Sequence, residues 1–380
     1  METPAPTPAP AAKPPRLLSL DALRGFDLFW IVGGHAIVTA LLRLTDWSWL
    51  AAVHEQLEHV PWNGFHFEDL IFPLFLFLAG VSTPFSLTRR LEEGARGEVV
   101  RKVLLRGALL VVLGFVYNNE LQWKGLENMR FGSVLARIGL AGMCAQLLFV
   151  FSFRDLRRLW IWLAGVLLGY WVLLAFGHAP GFAPGDLTME GNFASYVDRL
   201  FLPGKLYRKI HDPEGLLAIL PAIGNALLGI QAGVWLRRSA TETSGDRKAL
   251  GLALAGGVLL SAGWAWSWAF PLNKNLWTSS FVLWTSGWSA LLLAAFYWLI
   301  DVRGWLRGFG AFFAVVGMNS IFIYMAGRFI DFGYTTKALF GGLAAALPPA
   351  WGALLLAVGF FAVEWVLLWL MQRQRWILRV

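Results

Sequence analysis

The chain is 380 residues long, 57% hydrophobic and only 15% charged, with a mean hydropathy of +0.57. A composition this apolar excludes both an ordinary soluble domain and a disordered chain. The formal charge of +8 would suit nucleic acid in a soluble protein. Here basic loops between membrane segments account for it, and no basic stripe interleaved with exposed aromatics suggests a nucleic-acid partner.

Residues 1–16 are rich in Pro and Ala and end in Lys13 and Arg16, which reads as a disordered basic tail. The apolar segment that follows carries Asp21, Arg24 and Asp27 and lacks a small-residue cleavage site, so a retained first span is expected rather than a cleaved signal peptide. Further apolar runs of helical length lie near 70–88, 99–117, 132–152, 157–177, 215–236, 249–270, 277–300, 309–330 and 351–371. Only helices satisfy the backbone of runs this uniformly apolar within a bilayer. Residues 17–380 are therefore expected to form one all-α integral membrane domain of about ten transmembrane helices. Lys and Arg favour one set of loops by about two to one, which predicts that both termini are cytoplasmic. Cys144, the single cysteine, sits in an apolar run and reads as a packed small side chain.

The polar stretch from His59 to Asp69 just ahead of the second span is the strongest candidate site. His59 has Trp62, Asn63, Glu68 and Asp69 nearby in sequence to shape and orient its ring, and an imidazole suits proton transfer near neutral pH. His66 reads as structural, and His54 and His211 as solvated loop positions. His54, His59, His66, Glu68 and Asp69 are all ligand types, but their spacings match no standard metal motif, and no metal is expected. A second long loop, 178–214, adds Asp212 and Glu214 to the same mouth, and Asn273-Lys274-Asn275 offers one cation and two amides for a polyhydroxylated ligand. Nearby tryptophans, Trp264, Trp268, Trp277 and Trp288 among them, would suit sugar stacking. On the opposite side, Arg24 with Asp21, three residues apart, reads as a charge pair or as part of a pocket for an anion. Arg130 and Arg137 share a helix face, and Asn319 and Glu364 lie mid-span, where polar groups by default mark function or helix-to-helix hydrogen bonds.

Ser19-Leu-Asp-Ala-Leu-Arg-Gly25, Pro61-Trp-Asn-Gly64 and Asp69-Leu-Ile-Phe-Pro73 resemble the opening of the transmembrane heparan-alpha-glucosaminide N-acetyltransferase family. Arg130–Arg137, Asp212–Leu217 with Leu228–Gly233, Pro271–Trp277 and Gly317–Ile321 resemble its later blocks in the same order. The resemblance implies an enzyme that carries acetyl from cytoplasmic acetyl-CoA to the amine of a glucosamine-type sugar across the membrane. It places the catalytic histidine on His59. A family asparagine falls on His35, so an imidazole there is expected to share acid–base work or take another role. On this reading Trp62, Asn63, Asp69, Asp212, Glu214, Asn273, Lys274 and Asn275 face the acceptor, while Asp21, Arg24, Arg130, Arg137 and Asn319 serve the donor, with Arg89, Arg90, Arg101 and Lys102 as further phosphate candidates. The chain departs from the family in a longer insertion between His35 and His59, and no large N-terminal luminal domain is expected. The expected partners are lipid, acetyl-CoA and the amino sugar, with a homodimer also compatible, and the expected place is a bacterial inner membrane. A secondary transporter of a small polar or anionic solute is the competing reading.

Overall fold

The computed structural model describes residues 17–45 and 47–378, and the expected basic tail lies outside them. Among the described residues the regular structure is helical, with a single isolated bridge between Arg130 and Gly204. Helices α1 (Leu18–Phe29) and α2 (His35–Leu42) join through a π turn at Trp30–Gly34 into one span, and the short α3 (Ser48–Gln56) follows it. A 3-10 turn, Phe67–Leu70, then leads into α4 (Ile71–Glu92), and α5 (Arg96–Asn119), α6 (Val134–Phe151) and α7 (Arg158–Phe176) complete the first half. After the short α8 (Phe193–Phe201) come α9 (Ile219–Leu236), α10 (Gly245–Ser267) and α11 (Ser279–Phe296) with its π extension Tyr297–Val302. The chain ends in α12 (Arg307–Met318), α13 (Ser320–Phe329), α14 (Phe332–Ala346) and α15 (Pro349–Arg373).

Eight of these helices or fused helices are long and apolar enough to cross a membrane, or nine when α12 and α13 are taken as one span. Each of the ten expected runs has its helix, but two behave differently. Helix α5, at 24 residues and about 36 Å, is long enough to span. Arg96, Glu98, Arg101, Lys102 and Arg106 make its first half too charged to match the others. The expected run at 309–330 is bent by 58° at Asn319, whose non-helical backbone separates α12 from α13. Helix α14 has no counterpart among the runs read from the sequence.

The core follows from which faces are apolar and where small residues let backbones touch. Helices α4, α6, α7, α9 and α11 enclose the largest cluster, including Leu74, Phe77, Leu78, Leu159, Leu227 and Phe281. A Cβ on Gly80 of α4 would lie 2.2 Å from the Ala226 carbonyl oxygen of α9, and one on Gly229 would lie 2.0 Å from that of Phe77. The two helices therefore cross backbone to backbone, as small residues permit in lipid. Gly25 of α1 and Gly317 of α12 make an equally close crossing, with Cβ positions 1.8 and 1.9 Å from the facing carbonyl oxygens. These two contacts fix α4 and α1, the helices that carry the polar groups at each end of the molecule.

Candidate active site

His59 lies in a loop that the chain fastens at several points. Gly64 turns at φ +125, a conformation that favours glycine, and its N–H donates to the Leu272 carbonyl at 2.9 Å. Asn63 accepts from the Asn273 side chain at 3.0 Å, the Trp62 indole donates to the Leu187 carbonyl at 2.9 Å, and the His66 ring meets the Glu58 carbonyl oxygen at 2.8 Å. His66 thus has the structural place expected of it.

Asp69 sits at the start of the helical rod that becomes α4, where the partial positive charge of a helix N-terminus favours a carboxylate. Its Oδ2 accepts from the His66 N–H at 3.1 Å, and its Oδ1 lies 3.0 Å from His59 Nδ1 and 3.3 Å from Lys274 Nζ. Lys274 Nζ is also 3.1 and 3.2 Å from the two ring nitrogens of His59. The result is a three-way cluster in which the imidazole side chain is 51% exposed, while the carboxylate beneath it is 0% exposed. The carboxylate is thus shielded and the imidazole ring is open to solvent. Burial lowers the Lys274 pKa, against the pull of Asp69. The Lys274 turn is ordered by Asn273, whose side-chain oxygen accepts from the Leu276 N–H at 2.8 Å, and Asn275 is buried in the same turn.

A second polar knot lies alongside. Arg130 donates to both oxygens of Asp212, at 3.1 and 2.8 Å, and to Glu214, with its guanidinium 4.5 Å from the Tyr207 ring centroid. Burial alone would raise the Asp212 carboxyl, but the hydrogen bonds and charge of Arg130 outweigh it and hold the group below the usual carboxylate range. Arg137 donates to the Pro213 carbonyl and stacks on Trp277 at 4.5 Å. The structure therefore joins Arg130 and Arg137, read as donor-side groups, to Asp212 and Glu214, read as acceptor-side groups. His211 is not solvated: it is buried, with Nδ1 2.7 Å from Ser195 Oγ and its ring edge-on to Trp62, and burial pushes its pKa down to about 4. On α8, which also carries Ser195, burial raises the Asp198 carboxyl to about 6.

Farther along the bundle is a cavity of about 300 Å³ whose polar lining includes Asp21, Arg24, Ser82, Ser86, Arg106 and Tyr324. Arg24 reaches from α1 to α4, donating to Ser82 Oγ and to the Leu78 carbonyl at 3.3 Å, and pairs with Asp21 at 3.4 Å. A narrower space lined by Arg137, Glu214, Lys274 and Trp277 shares three wall residues with this cavity, Phe72, Val134 and Ile138. The Lys274 ammonium lies 5.5 Å from the Phe72 ring centroid. The narrower space thus adjoins the cavity of Arg24 and Arg106 and is bordered by Lys274, a member of the His59 cluster. Asn319 also borders this region: its side chain donates to the Trp376 carbonyl at 3.1 Å and accepts from the Leu378 N–H at 3.0 Å. It thereby seats Ile377 and Leu378 against the cavity.

Other sequence expectations meet different neighbours. His35 faces Glu58, at 3.3 Å, and His54, which belongs to α3 rather than to a solvated loop. Arg89, Arg90 and Lys102 form exposed ion pairs with Glu93 or Glu98, and neither they nor Arg101 line the cavity. Trp264, Trp268 and Trp288 are exposed on the helix exteriors, whereas Trp277 is buried. Two residues were missed. Arg106 faces the cavity from α5, on the helical face shared with Val99, Val103 and Leu110, a periodicity that would have found it. Asn225, mid-span in α9, accepts from the Trp277 indole at 2.9 Å and donates to Thr285 and Ser286 of α11 at 3.1 and 2.9 Å.

These features define a multi-span helical membrane protein with an arginine-lined cavity and a separate polar cluster around His59. The family described as heparan-alpha-glucosaminide N-acetyltransferase, catalytic, matches residues 16–261, and the chain belongs to it. The chain is 29% identical over 369 residues to the heparan-alpha-glucosaminide N-acetyltransferase of Homo sapiens, covering 83% of this chain and 53% of that protein. It is 29% identical over 328 residues to that of Mus musculus, covering 72% and 49% respectively. The chain thus spans about half the length of the curated relatives it matches.

Proposed function

We propose that the protein is a transmembrane acetyltransferase that takes acetyl from acetyl-CoA on the cytoplasmic side and delivers it to the amine of a glucosamine-type sugar on the opposite side. The observation that supports this reading is the His59–Asp69–Lys274 cluster, whose Lys274 borders a narrow space next to the cavity of Arg24 and Arg106. Family membership supports the same chemistry. Arg24 and Arg106 supply the fork-shaped donors suited to phosphates of the donor, and the apolar walls Phe72, Val134 and Ile138 suit an extended uncharged arm.

At the His59 cluster, Asp69 holds the ring through Nδ1, and Nε2, which also lies 3.2 Å from Lys274 Nζ, takes a proton from the acceptor amine. As the amine nitrogen bonds to the thioester carbonyl carbon, negative charge grows on the carbonyl oxygen, and the Lys274 ammonium is positioned to offset it. Cleavage of the carbon–sulfur bond then releases the thiolate, which receives the proton from His59. The alternative route passes acetyl to His59 first and then to the amine. Single-turnover reaction without acceptor separates the two, because only the second yields an acetylated enzyme that is absent from His59→Ala.

His59→Ala is expected to lower acetyl transfer by about 10²–10⁴-fold with the fold intact; unchanged transfer would overturn the reading. One observation favours a secondary transporter, the broken span at Asn319, since discontinuous helices build many transport sites. Against it, the Asn319 amide is engaged by the C-terminal segment. Solute uptake by proteoliposomes lacking acetyl-CoA would favour transport.

A further inference from the structure

A separate cluster of ligand-type side chains lies beside the His59 loop. His35 opens α2, His54 belongs to α3, and Glu58 lies in the turn after α3. One ligand atom from each lies within 4.8 Å of the others. His35 Nε2 is 3.3 Å from Glu58 Oε1, and the two imidazole centroids are 5.4 Å apart. A tetrahedral ion with bonds of about 2.0–2.1 Å holds neighbouring ligand atoms roughly 3.3 Å apart. The His35–Glu58 separation already has that value, and the ligand atom of half-buried His54 lies within 4.8 Å of both.

We propose that His35, His54 and Glu58 form a binding site for a divalent transition metal of the zinc class, with the fourth position open to water. Two imidazoles and one carboxylate select such an ion over calcium or magnesium, which prefer all-oxygen shells. The surroundings add support for the ligand positions. The Glu58 carbonyl oxygen is engaged by the His66 ring at 2.8 Å, and α3 packs on α2 through Leu50 and Leu57 against Val38. Most of the outer face of α3 is exposed. An ion at this place would tie α3 to α2 and fix the peptide that enters His59. The ligands come from three neighbouring elements, which is why no linear spacing motif announced them.

The test uses the full chain in detergent, stripped of metal and titrated with Zn(II) and with Co(II). The expected result is one equivalent bound per chain and a Co(II) spectrum of four-coordinate type. His35→Asn and His54→Ala should each weaken binding by more than the roughly 10–100-fold that follows loss of an outer-shell partner, while His59→Ala binds as the unaltered protein does. Melting curves recorded without metal show whether each variant is folded. Absence of stoichiometric binding, binding retained in both folded ligand variants, or binding lost in His59→Ala would overturn the assignment. Binding requires no turnover, so this result is distinguishable from failure of the transferase reading.

Discussion

Lys274 shows how far a single residue can depart from its sequence context. In the chain it is one cation in a turn between apolar runs, yet the fold sets its ammonium against His59, 215 residues away, and against Asp69. Loss of that charge is expected to lower turnover by about 10²–10³-fold in Lys274→Met, the scale of removing one group that stabilises developing charge, with Lys274→Arg retaining more activity. Steady-state rates on folded variants decide this. Because burial lowers its pKa, Lys274 loses its proton as pH rises sooner than an ordinary lysine, so an alkaline decline in rate should set in below the usual lysine range and vanish in Lys274→Met.

His211 acts on stability instead. Its pKa falls from 6.5 to about 4 on burial, so its contribution is present above about 6.5 and is lost as pH falls towards 4. Asp198, raised to about 6, works in the opposite sense, gaining stability as pH falls. The difference between the unaltered protein and His211→Asn, measured as melting temperature at each pH, isolates the histidine and should narrow between pH 6.5 and 4. His59 and Asp69 were legible because type and local spacing signalled them. His211 was not, since burial came from Ser195 and Trp62, neither of which the local sequence places beside it.

At the scale of elements, hydrophobic run length located nearly every span, because a bilayer imposes that length on any crossing helix. What run length misses is a break inside a run. Asn319 interrupts the helix without any proline or glycine at that position, and its amide compensates by holding the backbone at Trp376 and Leu378. The α4–α9 crossing is equally invisible to hydropathy, although glycines at Gly80 and Gly229 hint at it. Gly229→Ala places a methyl group against the Phe77 carbonyl at 2.0 Å, and overpacking of this kind costs about 1–3 kcal/mol. A lowered melting temperature in detergent is the expected readout, with Gly257→Ala, where a Cβ meets nothing within 4 Å, as the neutral control.

At the scale of the whole molecule, the proposed function assigns donor binding and acceptor chemistry to separate residues. Arg106→Gln should raise KM for acetyl-CoA by about tenfold, the equivalent of roughly 1.4 kcal/mol, and leave kcat nearly unchanged, because it removes binding far from the reacting atoms. A fall in kcat with constant KM would place Arg106 in the chemistry instead. The sequence suggested two opposed polar faces but assigned Arg130 and Arg137 to the donor. The structure instead gives them Asp212, Glu214, Pro213 and Trp277 as neighbours, contacts set by loops 82 residues apart in the case of Arg130 and Asp212.

The rod formed by the Phe67–Leu70 turn and α4 carries Asp69 at one end and Ser82, the partner of Arg24, farther along. At helical rise the two positions stand about 20 Å apart, and the glycine crossing with α9 leaves that rod little freedom to shorten. On the proposed transferase reading, the rod is a fixed gauge. On that reading an acyl group anchored by its charge beside Arg24 would reach His59 only on a long, slender tether, and compact activated acetates such as acetyl phosphate are expected to support no transfer.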